Sequence, residues 1–251
     1  MTMKDAVLLF VAAMAGGALN SVAGGGSFLS FPALLFTGMP PVQANATNTV
    51  ALWPGALASA IGYRNELAGE KPGLVVEFVV ISLLGGIAGA VLLLHTPQST
   101  FMKLIPWLLL VATLIFTFGG KLTRALRTRG YALSTPIVLL LQLITAIYGG
   151  FFGAGIGILM LAILSLIGME HIHRMNGLKN ILATCINGVA VITFIWAGIV
   201  EWRQAGLMIV GGILGGYGTA RFVQRVDPRY IRAFVIAVGF AMTAYFFWKT
   251  R

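Results

Sequence analysis

Charge is what this sequence has least of. Only 10% of its 251 residues are Asp, Glu, Lys or Arg, and seven are acids, less than half the charged share of an average soluble domain. So little polar side chain cannot cover a water-facing surface around a chain that is 58% hydrophobic with a mean hydropathy of +0.92, which excludes a soluble enzyme. The apolar runs lack period-two alternation, which excludes a membrane β-barrel. There is one cysteine, Cys185, inside an apolar run; it excludes a disulfide framework and reads most simply as a buried thiol. The apolar segments also lack Asp and His, so an intramembrane enzyme would have neither a carboxylate pair, nor a Ser–His pair, nor a metal site to work with.

Apolar helices are what the sequence does contain. Runs of roughly 15–25 residues between short polar breaks read as membrane helices, because about 20 residues cross the hydrocarbon core. Hydropathy and helix breakers give ten pieces, at 6–21, 27–38, 42–63, 74–94, 101–119, 135–150, 157–168, 175–199, 204–222 and 230–248. A basic run at 121–129 parts them five and five. The start of the chain, with Lys4 before an apolar stretch and Ala13-Met14-Ala15, has the look of a signal peptide, but its place in an internal repeat argues that it is retained.

That repeat is weak but ordered. Residues 25–39 (GGSFLSFPALLFTGM) match 155–169 (GIGILMLAILSLIGM), Asn48 falls on Asn180, Gly85-Gly86-Ile87-x-Gly89 on Gly211-Gly212-Ile213-x-Gly215, and Lys103 on Arg232. Such a series in register is the mark of internal duplication.

The seventeen Lys and Arg give a net charge of +10, but they lie at helix ends rather than in one stripe, so they mark topology and not a nucleic-acid surface. The rule that positive residues stay inside puts the 121–129 linker in the cytoplasm. The turns holding Arg64 and Lys71, Arg174, and Arg221, Arg225 and Arg229 then fall inside too. Loops around Pro40-Pro41, 95–100 and 201–203 fall outside, with both termini. The pieces at 27–38 and 157–168 are about 18 Å long, too short for a core of about 30 Å, so each should end near mid-membrane. Each half makes an odd number of net crossings, which sets the halves in opposite orientations. The expected fold is an all-α, polytopic helical bundle of two inverted five-element repeats, 1–120 and 131–251, each with a broken or re-entrant hairpin. A cytoplasmic basic linker at 121–130 joins them into a single transport domain, the plan of secondary transporters.

Each short helix follows a glycine-rich break, Val22-Ala23-Gly24-Gly25-Gly26-Ser27 in the first half and 149–157 in the second. Irregular backbone at membrane depth survives only where protein or a water-filled cavity satisfies it, and the free N–H groups at a helix start attract anions. Gly153, Gly155 and Gly157 allow close approach, Ser27 supplies a hydroxyl, and Asn20 and Ser21 lie one turn before the first break. A dinucleotide loop is excluded at the second, since no strand precedes it. By contrast, the Gly85-Gly86-x-x-Gly89 and Gly211-Gly212-x-x-Gly215 runs sit inside full-length helices and read as helix-packing faces.

Asn45, Thr47, Asn48 and Thr49 open the third helix, and Asn176, Lys179, Asn180, Thr184 and Asn187 occupy the eighth. Polar groups at such depth face a cavity or another helix. Lys179 has two readings, snorkelling to the cytoplasmic surface or pairing with a bound anion. Glu170, His171 and His173 read as a solvated turn rather than a metal site, and Glu77 as a partner of Lys71 or a proton acceptor.

Gly16-Gly17-x-x-Asn20-x-x-x-Gly24-Gly25-Gly26-Ser27-Phe28-x-x-Phe31-Pro32-x-Leu34 with Ala44-x-Ala46-Thr47-Asn48, followed by Gly150-Phe151-Phe152-Gly153-Ala154-Gly155 with Asn176-x-x-Lys179-Asn180, resembles the TauE/SafE family over essentially the whole chain. The family more often carries Thr-Ser where this chain has Thr47-Asn48. The resemblance implies a multi-pass anion permease of the cytoplasmic membrane, an exporter of sulfite or an organosulfonate-related anion, without cofactor or metal. Coupling to H+ or Na+ and oligomeric state stay open; a passive anion channel is the first alternative and an intramembrane enzyme the more remote one. The expected substrate-binding set is Asn20, Gly24, Gly25, Gly26, Ser27, Asn45, Thr47, Asn48, Gly153, Gly155, Gly157, Asn176, Lys179 and Asn180. The topology itself is testable: reporter fusions in the turns at Arg64 and just after Arg129 are expected on the same, cytoplasmic, side and a fusion in the 95–100 loop on the other. Arg64 and Arg129 on opposite sides would overturn the inverted plan.

Overall fold

A computed structural model describes residues 1–22, 25–62, 72–129, 133–169, 171–222 and 228–250. All regular structure among them is helical: α1 (Met3–Val22), α2 (Ser27–Phe36), α3 (Pro41–Gly62), α4 (Pro72–Leu94), α5 (Gln98–Arg129), α6 (Thr135–Phe151), α7 (Ile156–Leu166), α8 (Ile172–Trp196), α9 (Trp202–Phe222) and α10 (Pro228–Lys249). Helices α3, α4 and α10 open on a proline, and Pro136 lies in the first turn of α6; there the missing N–H is not needed and the fixed φ favours the helix. Four helices among the described residues are long and apolar enough to cross a membrane, within α1, α4, α5 and α8.

The ten pieces read from hydropathy are present, with one correction. The segment 121–129 is not a linker between helices but the last part of α5, which runs unbroken to Arg129. Lys, Leu, Arg and Ala are good helix formers, and no glycine or proline interrupts them before Gly130. Gly24, the turn with Arg64 and Lys71, Glu170 and Arg225 lie outside the described residues.

The chain forms two compact units, and neither coincides with a sequence half. The first comprises Met1–Gly55, Leu94–Thr113 and Phe194–Arg251, the second Ala56–Leu93 and Leu114–Thr193. In the first, α9 lies against α1 at backbone distance: a Cβ on Gly215 would collide with the Met14 carbonyl, and one on Gly17 with that of Gly212. In the second, α4 meets α6 in the same way, with Gly89 against the Ile147 carbonyl and Gly150 against that of Gly86. The glycine runs are thus packing faces, and each joins a helix of one half to a helix of the other.

Loops that the charge pattern assigns to one membrane side meet within the first unit. The Gln98 side chain accepts a hydrogen bond from Val42 N–H (2.8 Å) and donates to Gln43 Oε1 (2.7 Å), while Glu201 N–H donates to Thr47 Oγ1 (3.1 Å). Trp196, 95% exposed, and Trp202 flank the same turn, a usual position for interfacial anchors. In the second unit, Leu133 N–H donates to the Leu166 carbonyl (2.8 Å), so α6 and α7 form a hairpin that returns to the level at which it began. Phe78, Val138, Met160, Leu164, Leu178 and Leu182 belong to the apolar core beneath it.

Each short helix ends alike. Gly38 and Gly168 have φ of 82° and 83°, and Met39 N–H and Met169 N–H reach back to the carbonyls of Leu34 and Leu164; this left-handed stop closes the helix and is open chiefly to glycine. The Gly-Met pairs matched between the halves share this geometry.

The glycine contacts give a stability test. Gly215→Leu, facing a neighbouring backbone, is expected to cost about 3 kcal/mol or more, whereas Gly206→Leu, facing open space, should shift stability by less than about 1 kcal/mol. Thermal unfolding of the two variants in detergent checks the contrast.

Candidate functional site

Both breaks begin with a glycine in a conformation that L side chains rarely adopt. Gly25 has φ 97° and Gly155 φ 80°, and each offers its carbonyl to the amide three residues on, Phe28 N–H at 3.0 Å and Ile158 N–H at 3.1 Å. Matched glycines thus carry the same turn before the two short helices, although α2 begins at Ser27 and α7 one matched position earlier, at Ile156. What surrounds the two starts differs.

At the first break the polar groups satisfy one another. Asn20 Oδ1, from the last turns of α1, accepts from Gly26 N–H at 2.7 Å, acting as a cap supplied by the preceding helix. The Ser30 hydroxyl, fully buried, lies 2.5 Å from Asn48 Oδ1 and 3.1 Å from the Gly26 carbonyl, and Asn48 Nδ2 donates to Ser27 Oγ at 3.3 Å. Asn48 thus ties α3 to the first turn of α2. Asn45 is buried one turn earlier and its carbonyl takes the Thr49 hydroxyl. Thr47 points elsewhere, to the amide of Glu201. Gly16 and Gly26 approach so closely that neither position admits a side chain without a shift. Ser30 was missed in the sequence, although it stands one turn beyond Ser27 and three is the spacing that puts both on one helix face.

At the second break the main chain is held from the side. Tyr148 accepts from Phe152 N–H and Gly153 N–H through its carbonyl, at 2.9 and 3.2 Å, and its hydroxyl donates to the Ala154 carbonyl at 2.8 Å. Gly153, φ 81°, passes close to the Gly149 carbonyl and to Asn187 Oδ1, and Asn187 itself donates to the Ala183 carbonyl. Ile158 is the first residue of α7 whose amide finds a backbone carbonyl, so the amides of Ile156 and Gly157 have no backbone partner among the described residues. Beside them runs Lys179 from α8. Its Cδ lies 3.4 Å from where a Cβ on Gly157 would stand, and its ammonium donates to Asn176 Oδ1 at 3.2 Å. Asn180 is half-buried on the next position of α8. Tyr148 was invisible in the sequence because a single aromatic residue just before the glycine run at 149–157 carries no pattern of its own.

Gly25, Gly26, Ser27, Asn20 and Asn48 are therefore gathered at one break, and Gly153, Gly155, Gly157, Lys179 and Asn176 at the other. His171 and Glu77 are exposed. Among the described residues no three His, Cys, Asp or Glu side chains are placed to hold a metal ion.

Comparison with known proteins places the chain clearly. The family model described as "Sulfite exporter TauE/SafE" matches residues 8–246. A "Probable membrane transporter protein" of Haemophilus influenzae is 31% identical over 246 residues, covering 94% of this chain and 92% of that protein. The "Probable membrane transporter protein YfcA" of Escherichia coli K12 is 30% identical over 243 residues, with 94% and 87% covered. The "Probable membrane transporter protein ORF9" of a Sinorhizobium species is 29% identical over 238 residues, with 93% and 89% covered. No solved structure matches the chain.

The Tyr148 clamp can be measured directly. Tyr148→Phe keeps the ring and removes only the bond to the Ala154 carbonyl, so unfolding in denaturant should show a loss of about 1–2 kcal/mol. An unchanged midpoint would mean that the hydroxyl does not hold the break.

Proposed function

Since the chain belongs to the TauE/SafE family and is a membrane transporter, we propose that it exports a small anion, sulfite or an organosulfonate-related compound, across the cytoplasmic membrane. The observation that carries this reading is Lys179 lying along Gly157 at the start of α7. A cationic side chain and a helix N-terminus with uncommitted amides are both sources of positive potential, and here they share one turn of backbone. In an apolar segment, that pairing is costly to keep unless an anion uses it.

In this reading the anion takes N–H donors from Ile156 and Gly157 and the charge of Lys179, with Asn176 and Asn180 completing the polar set. Gly153 and Gly155 make room for the backbone approach. The first break offers a separate set of contacts, Gly24, Gly25, Gly26, Ser27, Asn45 and Asn48, its Gly26 amide held by Asn20 until substrate competes for it, whereas Thr47 is committed to the Glu201 amide and takes no part. The two halves are inverted repeats that rock against each other, as in other secondary transporters. Support for that comes from the exchange of partners, α9 of one half on α1 of the other and α6 on α4, with the same glycine faces used both times.

The test is flux in liposomes containing the purified protein. Sulfite efflux is expected to saturate with concentration and to respond to an imposed H+ or Na+ gradient; flux that rises linearly and ignores both gradients would identify a channel instead. A hydrogen-bonded charge contributes about 1.5–3 kcal/mol, so Lys179→Met should weaken anion binding by about 10- to 100-fold. Lys103→Met, at an exposed position, should leave binding within about two-fold. Equal affinities of both variants and the native protein would show that Lys179 serves the cytoplasmic surface rather than the anion.

A further inference from the structure

The end of α5 carries positive charge that no described acid receives. Between Glu77 and Glu170 the sequence has no acid at all, so α5, α6 and α7 contain none. Lys121 and Arg124 are exposed, and neither forms an ion pair with a described residue. The threonines nearby are already committed, Thr123 Oγ1 to the Gly119 carbonyl at 2.9 Å and Thr128 Oγ1 to that of Ala125 at 3.1 Å. Lys121, Arg124 and Arg127 recur every third residue, which puts them within about 120° of one helix face.

The depth of these residues follows from a contact further up the same helix. Thr113 Oγ1 lies where a Cβ on Gly239 would stand, and Gly239 is near the middle of the apolar stretch Ala233–Lys249 of α10. Thr113 is therefore at about half-depth. At 1.5 Å per residue, Lys121, Arg124 and Arg127 come about 12, 17 and 21 Å further on, bracketing the edge of a core whose half-thickness is about 15 Å. Leu122, 53% exposed, and exposed Phe118 lie among and just before them. A basic face interleaved with bare apolar side chains at that level suits a membrane surface better than open water.

We propose that Lys121 and Arg124, on the basic face that α5 continues to position 127, bind the phosphate groups of anionic phospholipids and thereby fix the level of α5 in the bilayer. Two residues before Lys121, Gly119 is in contact with Ile158 in the first turn of α7, so the lipid-bound stretch adjoins the hairpin of the second break. The proposal needs only that the chain is embedded in a membrane; it stands whichever substrate is carried.

The experiment places the intact protein in nanodiscs and measures binding of a fluorescent phosphatidylglycerol probe against the matching phosphatidylcholine probe. Native protein should prefer the anionic lipid. Lys121→Gln and Arg124→Gln should each reduce that preference about five-fold, and the triple variant with Arg127→Gln about 100-fold, with phosphatidylcholine unaffected. Lys121→Arg should keep it. A second triple variant, Lys4→Gln, Lys103→Gln and Arg203→Gln, removes the same net charge elsewhere and should retain most of the preference. Native protein without a preference, or equal loss in both triple variants, overturns the proposal. Should the first triple variant fail to fold, the single exposed substitutions decide the matter in the same assay.

Discussion

A backbone amide inside hydrocarbon has no water to turn to, and this one constraint orders the rest of the structure. Two helices of this protein stop and restart within the apolar part of the chain, and at each break the main chain must find partners from the protein itself. Asn20 supplies one for Gly26, and the Tyr148 carbonyl and hydroxyl supply three contacts across 152–154. The residues that make irregular backbone tolerable are as much a part of the site as those expected to meet an anion.

Glycine does two jobs here, and they are physically distinct. At Gly25, Gly38, Gly153, Gly155 and Gly168 it permits a left-handed backbone; at Gly17, Gly89, Gly150 and Gly215 it removes a Cβ so that two helices meet at backbone distance. The first kind creates the breaks and closes the short helices. The second builds the surfaces on which those helices are mounted, α9 on α1 and α4 on α6. Each such surface joins helices far apart in the sequence through packing that has little slack.

The two breaks share a backbone plan but not a chemistry. In the first, neutral serine and asparagine side chains close a hydrogen-bonded set; in the second, amides without backbone partners adjoin a lysine. The same left-handed glycine and the same turn therefore occur twice, while the side chains around them differ.

The number and type of helices were legible in the sequence, because bilayer thickness fixes helix length and hydropathy reports it directly. So were the two breaks and the glycine packing faces, for a residue without a Cβ has few other uses in such runs. The helical nature of 121–129 was not, since its charges signal the end of the hydrocarbon and say nothing about the end of the helix. Nor could the sequence show that Thr47 serves the Glu201 amide while Asn48, beside it, serves Ser27 and Ser30, or that Tyr148 holds the second break. Hydropathy and glycine spacing are properties of a segment read along the chain, whereas a hydrogen bond between α3 and the turn before α9 depends on where two distant segments are brought together, and only the tertiary structure decides that.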